Sequence, residues 1–374
     1  MSKISIIFIF TCIIPLLVCN GFNTHSQAVI QDPNNIKILS LIADGVGNTY
    51  FTVKNQFEEW GWNFTTAGLE ENHTGCPNKD PIIITSDILI SAIENISQYD
   101  CIFIASGAQH HILREDPSVL NLIKKGYNEG LVISTLCVST VILADADIIK
   151  GIKVVGDPLY YYDIKEAGGI FDAHAKVISD KRIITGGKGG GPTGGGDLSA
   201  PTYELCTAIA KELLGFSYVI NTYLNPVTGS SNTIFFISVE TTNLTDLPFD
   251  INSSEISQIN AIIDKKFSNN LTLIEDLELV NANGIYQGHF SKMNVGEYVI
   301  TIEVKNMDDC IEIVRNTVTF SIESPESSST SILTSSNTQT KTSESSVGLT
   351  CISSLILILY LIVYRKKRDK RSCD

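Results

Sequence analysis

The chain has 374 residues, of which 43% are apolar and 18% are charged, and its formal net charge is −14. At ~150 residues per domain, this length allows about two domains. The acidic balance excludes nucleic acid as a partner, since no basic patch with interleaved aromatic side chains offsets it, and the composition excludes collagen-like, coiled-coil and wholly disordered chains.

The first 20 residues predict a secretory signal peptide. Lys3 is followed by an apolar run over residues 4–19 and by small or polar residues at 19–21, which is the order of segments typical of such a signal. An uncleaved N-terminal anchor is the alternative. Six glycosylation sequons agree with secretion, and they begin at Asn63, Asn72, Asn95, Asn243, Asn252 and Asn270.

Residues 36–216 alternate apolar runs with helical patterns. The predicted strands cover 36–43, 62–67, 101–105, 131–136 and 152–155, and the predicted helices cover 48–60, 117–128, 139–146 and 201–214. Strands that are apolar throughout indicate a parallel sheet covered on both faces. This order predicts an α/β domain with a doubly wound sheet, whose ligands bind beyond the carboxyl ends of the strands.

A cysteine directly follows one of these strands. Cys137 stands between the strand at 131–136 and the next predicted helix, which is the outline of a nucleophile elbow. The amides and the dipole at a helix N-terminus favour the thiolate, the nucleophilic form of cysteine. A buried structural cysteine that closes a strand is the alternative, and spacing alone does not decide between the two.

Five segments of this region, taken in order, are similar to the ThiJ/PfpI family of the class I glutamine-amidotransferase-like superfamily. They are residues 36–45, 99–108, 131–155, 167–187 and 202–215, and the segment 131–155 is the most specific. The resemblance implies a flavodoxin-like fold, assembly into a homodimer or a larger ring, and function as a cysteine peptidase, a glyoxalase or deglycase-type enzyme, or a chaperone. No metal or cofactor is expected, because the sequence contains no CxxC spacing.

The resemblance assigns the nucleophile to Cys137, and the oxyanion pocket to Ser106, Gly107 and the amide of Val138. A histidine commonly follows the family's cysteine, where this chain has Val138. A glutamate commonly follows the family's first strand, where residues 44–47 of this chain supply none. General acid–base assistance, worth about 10²–10⁴-fold in rate, would therefore have to come from another group.

Two histidines that follow the turn at 106–107 are the candidates for this group. His110 and His111 lie at the same sheet edge as the cysteine, so either one is a candidate proton shuttle in a Cys–His pair. Solvated loop histidines are the alternative. His174 is a weaker candidate, and an aspartate in the position of Asp44, at a strand end before glycine, ordinarily serves turn formation.

Glycine dominates residues 186–197. This run resembles a phosphate-binding loop only superficially, because Lys188 is followed by Gly189 rather than by serine or threonine. In the family, this connection lies beside the active site, so the resemblance implies a loop that lines or covers the pocket. A flexible insertion is the alternative.

Residues 217–323 change to strand-like runs separated by polar turns. The runs cover 218–224, 233–239, 271–277, 284–290, 297–304 and 317–322. Alternation over 298–304 fits one buried face, so this part predicts an all-β, immunoglobulin-like sandwich that serves as a spacer or binding module. Cys310 stands alone in it, so the inter-sheet disulfide of antibody domains cannot form.

The C-terminal end predicts attachment to a membrane. Residues 324–346 are rich in serine and threonine and predict a disordered stalk. Residues 347–364 carry no charge and are just long enough for one transmembrane helix, with a buried core helix as the alternative. The basic residues at 365–374 predict a cytoplasmic tail, which would place the rest of the chain outside a cell membrane.

Two functions fit these predictions. The first is a membrane-anchored, extracytoplasmic, cysteine-dependent hydrolase, of a peptidase or deglycase kind, that uses Cys137. The second is a non-catalytic surface binding or adhesion protein that keeps the fold without the histidine and glutamate partners. The sequence leaves the substrate open.

Five cysteines remain between the two ends, an odd number that leaves at least one unpaired: Cys76, Cys101, Cys137, Cys206 and Cys310.

Overall fold

The computed structural model describes residues 35–75, 82–188, 200–242, 244, 254–268 and 270–324, all within the first of two compact units, residues 1–325. The helices are α1 (Thr49–Glu59), α2 (His110–Leu113), α3 (Pro117–Asn128), α4 (Val141–Asp145), α5 (Tyr161–Glu166) and α6 (Thr202–Leu214). The strands as far as α6 are β1 (Lys37–Ile42), β2 (Asn63–Gly68), β3 (Asn72–Thr74), β4 (Ile83–Thr85), β5 (Ile88–Leu89), β6 (Cys101–Ile104), β7 (Val132–Leu136), β8 (Lys153–Val154), β9 (Ile170–Phe171), β10 (Val177–Asp180) and β11 (Ile183–Gly186).

The predicted parallel sheet is confirmed, with the strand order β5-β2-β1-β6-β7-β11. The strand predicted at 152–155 is present as β8, but it pairs with β9 in a separate two-stranded sheet, and β11 takes the place beside β7. Its strands are buried on both faces. Ile38 in β1 belongs to a core that includes Phe57 of α1 and Leu205 of α6, whereas the next residue, Leu39, belongs to a second core with Val119 of α3. This double coverage explains why the strands are apolar throughout rather than alternating.

The switch point of the sheet lies at β1. The chain runs from β1 to β2 on one side and then returns to β6 and β7 on the other. The loops after β1 and β6 therefore lie side by side at the carboxyl edge, where Val46 forms an isolated bridge with Gly107. In such folds this crevice is the usual place of a ligand.

The second part of the chain contains longer strands. They are β12 (Val219–Asn225), β13 (Thr228–Gly229), β14 (Phe235–Thr241), β15 (Ile256–Phe267), β16 (Asn270–Glu278), β17 (Val280–Ala282), β18 (Ile285–Phe290), β19 (Gly296–Asn306) and β20 (Cys310–Ile322). A four-stranded sheet with the order β12-β14-β18-β17 buries Phe235 and Phe290 in the same core as Ile300 of β19. The part is rich in strands as expected, and the immunoglobulin-like topology stays a prediction.

One sheet continues from the first part into the second. β10 pairs antiparallel with β11 and parallel with β20, and the path then runs through β19 and β15 to β16. Ion pairs cross this junction as well. Arg315 of β20 binds the fully buried Asp180 of β10, and Lys153 binds Glu303 at 2.9 Å. β20 thus covers the edge of the α/β sheet that β10 would otherwise expose.

The predicted fold class needs one correction. In the described parts of the chain, no helix is long and apolar enough to cross a membrane, and the α/β and β architecture above replaces a fold class that included a transmembrane helix. The segments predicted as a signal peptide (1–20), as the transmembrane helix (347–364) and as the basic tail (365–374) lie outside the described residues, as does all but one residue of the stalk (324–346).

Candidate active site

Cys137 occupies a sharp turn between β7 and α4. Its φ is +56°, in the left-handed region that non-glycine residues seldom adopt, and a 3₁₀ turn over Cys137–Thr140 follows at once. The thiol is free and half-buried. Strained backbone of this kind persists only where surrounding contacts hold it, and it is concentrated at functional sites. The sequence-predicted elbow is therefore present.

Side chains fasten this elbow to the neighbouring strand ends. The Ser139 hydroxyl donates a hydrogen bond to the Ala105 carbonyl at 2.7 Å, at the end of β6. Gln109 donates to the same carbonyl at 2.8 Å, while its own carbonyl oxygen accepts the Ala43 amide at 3.2 Å. The ends of β1, β6 and β7 are thus tied together, and the loops that carry the site residues have little freedom to separate.

The Cys137 thiol faces Asp157, a residue that no sequence motif singles out. Sγ lies 3.8 Å from Asp157 Oδ2, and the Asp157 amide donates to the Cys137 carbonyl at 3.1 Å. The Lys188 ammonium lies 3.2 Å from the same Oδ2 atom. A thiol, a carboxylate and an ammonium therefore form a chain of contacts from the elbow outward.

The environment keeps this thiol protonated at neutral pH. Burial is the main cause that raises the pKa of Cys137, and the negative charge of Asp157 adds to it. The Ser106 hydroxyl, the Val138 amide and the Lys188 charge act in the opposite direction without cancelling the rise. The thiolate must therefore be produced during reaction, by transfer of the proton to an acceptor.

The three residues predicted for the oxyanion pocket lie at the elbow. Ser106 hydrogen-bonds to the sulfur, and Gly107 and Val138 follow the ends of β6 and β7 at the same sheet edge. Gly107 has a φ of +129° and lies against the loop after β1. Amide groups at such a turn and at the start of a helical turn are suited to hold a developing negative oxygen.

Replacing Gly107 with alanine is expected to disturb the pocket more than the fold core. An added Cβ would come within 2.4 Å of both the Gly45 carbonyl oxygen and the Gly47 nitrogen, at a φ that alanine rarely adopts. We expect a loss of about 1–3 kcal/mol in unfolding free energy. Urea unfolding measures that loss, and an unchanged midpoint would contradict it. Gly130→Ala is a control, because it has a positive φ and no atom within 4 Å of the added Cβ.

Within the described residues, the contacts of the two candidate histidines are to groups other than the thiol, although the charge of Asp157 acts on His110. His110 is buried, and its Nδ1 lies 2.7 Å from the Gly107 carbonyl oxygen, which can only accept. Nδ1 therefore carries the proton, and Nε2 accepts from the Tyr160 hydroxyl at 2.5 Å. Burial lowers the pKa of His110, so it is neutral at pH 7. His111 is exposed, with its ring 3.9 Å from that of His110.

His174 and Asp44, the two weaker candidates, also make contacts elsewhere. His174 is exposed, and its backbone amide binds Asp172. Asp44 accepts the amide and the hydroxyl of Thr74, so it fastens the β3 hairpin as turn chemistry suggested. No group of three or more His, Cys, Asp and Glu side chains within the described ranges could hold a metal ion. Most of the glycine run, from residue 189 onward, lies outside those ranges.

Asp157 and Lys188 each follow a strand, and the rule that ligands bind beyond the carboxyl ends of parallel strands could have drawn attention to them. Asp157 follows the predicted strand at 152–155, and Lys188 follows β11, which runs parallel to β7. Lys188 therefore stands beyond the carboxyl end of a strand of the main sheet, as Cys137 and Gly107 do, whereas Asp157 follows β8, which pairs with β9 in a separate sheet. Lys188 also lies in the glycine run 186–197, which the resemblance places beside the active site.

These features define a flavodoxin-like α/β domain with a cysteine at its nucleophile elbow. Residues 36–193 match the DJ-1/PfpI family, so this part of the chain is a DJ-1/PfpI domain, which confirms the resemblance found in the sequence. The chain is 29% identical over 174 residues to an uncharacterized protein of Methanocaldococcus jannaschii. The matched segment covers 45% of this chain and 83% of that protein.

Two further relatives have more descriptive names. Protein/nucleic acid deglycase 2 of Escherichia coli is 24% identical over 150 residues, which cover 40% of this chain and 87% of that protein. A solved two-domain protein from Anabaena variabilis, with DJ-1/ThiJ/PfpI-like and ferritin-like domains, is 20% identical with a TM-score of 0.42. That match covers 48% of each chain, so it spans about half of the solved protein.

Proposed function

We propose that the DJ-1/PfpI domain is a cysteine-dependent hydrolase in which Cys137 attacks a carbonyl carbon. The observation that carries this proposal is the strained elbow that holds Sγ 3.8 Å from the Asp157 carboxylate. A structural cysteine needs neither a left-handed backbone nor a nearly buried carboxylate as partner. Kinship with a protein named as a deglycase favours adducts between amines and small carbonyl compounds as substrates, ahead of peptides.

Each step of this mechanism uses a group at the elbow. As sulfur adds to the carbonyl carbon, the thiol proton passes to Asp157 and the amides of Gly107 and Val138 hold the resulting oxyanion. In an amine adduct of glyoxal, the amine is bonded to the carbon next to the one attacked, so Asp157 first returns the proton to the oxyanion and gives a hemithioacetal. Asp157 then removes the proton from the attacked carbon and passes it to the nitrogen as the carbon–nitrogen bond breaks, which leaves an enediol. Transfer of the enediol hydroxyl proton to the neighbouring carbon gives the thioester. Water then hydrolyses the thioester, which releases the acid and restores the thiol.

The variant Asp157→Asn tests whether Asp157 accepts the thiol proton or acts on Cys137 through its negative charge alone. Removing the negative charge removes one of the causes that raise the pKa of Cys137, so the pH profile of alkylation by iodoacetamide should move to lower pH. Turnover should fall by about 10²–10⁴-fold because the proton acceptor is gone. Both are measured on the purified chain, turnover as release of free amine from a glyoxal-glycated peptide. Alkylation and turnover that rise together would show that Asp157 is not the acceptor.

A non-catalytic binding protein is the second candidate. It is favoured by the raised pKa of Cys137 and by the engagement of His110 with Gly107 and Tyr160 instead of the thiol. On this hypothesis the elbow is inherited geometry, and the second, strand-rich part supplies the binding surface. The Asp157 experiment decides between the two, because a binding protein has no turnover to lose.

Two further features of the function belong to the proposal. We expect the DJ-1/PfpI domain to form a homodimer, as the family resemblance implies. An extracytoplasmic location is supported by the sequons, because the four asparagines that fall within the described ranges are all exposed and accessible to glycosylation: Asn63, Asn72, Asn95 and Asn270.

A further inference from the structure

We propose that His110 is a positioning residue that holds the turn at Gly107 in the orientation needed to bind the oxyanion, and that Tyr160 keeps the imidazole in the tautomer for this task. The inference rests on the proposed function, because it concerns the oxyanion pocket of the same site. It gives a role to a buried histidine that the proposed mechanism leaves unused. The supporting observations are the two hydrogen bonds of the imidazole, the backbone contacts of the turn and the contacts that hold Tyr160.

The two ring nitrogens of His110 contact groups of different hydrogen-bonding character. Nδ1 lies 2.7 Å from the Gly107 carbonyl oxygen, and Nε2 lies 2.5 Å from the Tyr160 hydroxyl oxygen. A carbonyl oxygen can only accept, so Nδ1 carries the proton of the neutral ring and the hydroxyl donates to Nε2. The opposite tautomer would set a lone pair of Nδ1 against the carbonyl oxygen. The Tyr160 hydroxyl therefore favours the one neutral tautomer that can bind Gly107.

Glycine gives the turn at residue 107 a freedom that its contacts remove. Gly107 has a φ of +129°, and a glycine has other conformations readily accessible to it. The peptide before Gly107 is fastened by the Gly47 amide, which donates to the Ser106 carbonyl at 2.8 Å. The peptide after it is fastened at the Gly107 carbonyl, which accepts from His110 Nδ1 and, at 3.3 Å, from the His110 amide. Hydrogen bonds on both sides of the Gly107 Cα restrict the direction of its amide more than one bond alone would.

Tyr160 connects this turn to the segment that faces the thiol. It ends a 3₁₀ turn over Pro158–Tyr160, and its amide donates to the Asp157 carbonyl at 3.0 Å. The Arg114 guanidinium lies 5.4 Å from the centre of the Tyr160 ring and is itself hydrogen-bonded to two aspartates. The tyrosine is thus held from its backbone and from its ring. The imidazole between Tyr160 and Gly107 therefore joins two of the segments that form the site.

Two replacements of His110 test the proposal on the full chain. His110→Ala removes the side-chain donor to the Gly107 carbonyl, whereas His110→Asn supplies an N–H in nearly the position of Nδ1. We expect His110→Ala to lower kcat and kcat/KM for the glyoxal-glycated peptide equally, by about tenfold, because a misplaced donor loses part of the about 10²–10³-fold that an oxyanion contact supplies. His110→Asn should retain most of the activity. Wild-type kcat in His110→Ala, or an equal loss in both variants, would overturn the proposal.

A pair of tyrosine variants tests the part assigned to Tyr160. Tyr160→Phe removes only the hydroxyl that donates to Nε2, and it should lower kcat with KM unchanged. Tyr50→Phe is the matched control, because Tyr50 is also buried and its hydroxyl lies 2.6 Å from the Thr66 hydroxyl, but on α1. The control should keep the wild-type kcat, although it too loses a buried hydrogen bond. An equal fall in the two variants would contradict the role of Tyr160.

Amide hydrogen exchange distinguishes failure of this inference from failure of the proposed hydrolase. The Gly47 amide reports on the turn without any turnover, because it donates to the Ser106 carbonyl. We expect His110→Ala to speed its exchange by about tenfold and His110→Asn to leave it near the wild-type rate. If the wild type turns over no substrate, the hydrolase hypothesis fails, and the exchange rates alone decide whether His110 holds the turn. Unchanged exchange in His110→Ala would overturn the proposal in either case.

Discussion

Cys137→Ala is expected to reduce the release of amine from a glycated peptide by about 10⁴-fold or more. Removal of a covalent nucleophile leaves only binding and oxyanion stabilisation, and neither forms a bond to the substrate. The fold should tolerate the change, because Cys137 is only half-buried and alanine removes a single sulfur atom. Steady-state turnover with wild-type and variant chains at equal concentration measures the effect.

Cys310→Ala provides the control for this experiment. Cys310 is also a free, half-buried thiol, and burial raises its pKa to about 12, but it lies at the start of β20, away from the elbow. It should retain wild-type turnover. Equal activity of the Cys137 variant and wild type would rule out a cysteine mechanism and leave the binding-protein hypothesis.

A raised thiol pKa is compatible with catalysis when the proton acceptor is adjacent. The Cys137 thiol does not have to be ionised in the free enzyme if Asp157 takes its proton during attack, as a general base does for a hydroxyl. Lys188 contributes here too, because its positive charge lowers the pKa of the thiol that burial raises. Turnover should therefore not follow ionisation of the thiol, so its pH profile should differ from that of alkylation at Cys137.

The elbow and the sheet could be predicted because their causes are local. A continuous apolar strand, a cysteine and an apolar helical run indicate a strand–turn–helix unit wherever they occur, and the structure has this unit at β7, Cys137 and α4. The turn at Gly107 was assigned to the oxyanion pocket by the family resemblance, and that role stays a prediction. Glycine there is required by the close approach of the loop after β1.

The partner of Cys137 depended on contacts that are distant in sequence. Asp157 reaches the thiol because Gly156 allows its strand end to pack on the elbow, where an added Cβ would lie 2.9 Å from the Thr140 Cβ. The contacts of the two candidate histidines depended on a related cause, and their role stays a prediction. Their loop follows the correct strand, but α2 turns His110 toward Tyr160, and no local pattern encodes that direction.

The strand-rich part was less predictable because polar residues interrupt its periodicity. β15 was missed entirely, although it has 12 residues and pairs with both β16 and β19. Its buried positions Ile259, Ala261 and Ile263 alternate as expected, but they stand among asparagine, aspartate and lysine. The pairing of β20 with β10 joins residues about 130 apart in sequence, which no pattern of apolar residues specifies.

Arg315→Met is expected to destabilise the chain by about 3–5 kcal/mol, because it leaves a buried carboxylate without its counter-ion. Asp180 is fully buried and receives two hydrogen bonds from the Arg315 guanidinium, one of them from Nε at 2.8 Å. The same guanidinium also binds the Gly151 carbonyl at 2.9 Å. The loss should appear as a lower midpoint of urea unfolding with an unchanged slope.

Two further variants show whether the unpaired charge is the cause of that loss. The double variant Asp180→Leu with Arg315→Met removes both charges and should recover most of the lost stability, since a buried ion pair is often replaceable by apolar side chains. Lys124→Met removes a cation from an exposed pair, with its aspartate 74% exposed, and should cost at most about 1 kcal/mol. A double variant no more stable than Arg315→Met would instead place the energy in the hydrogen bonds to Gly151 and to the Lys153 amide, which Asp180 also accepts. In either case the ion pair fixes β20 against β10. Its loss should therefore destabilise the pairing of these two strands more than the turn at Cys137.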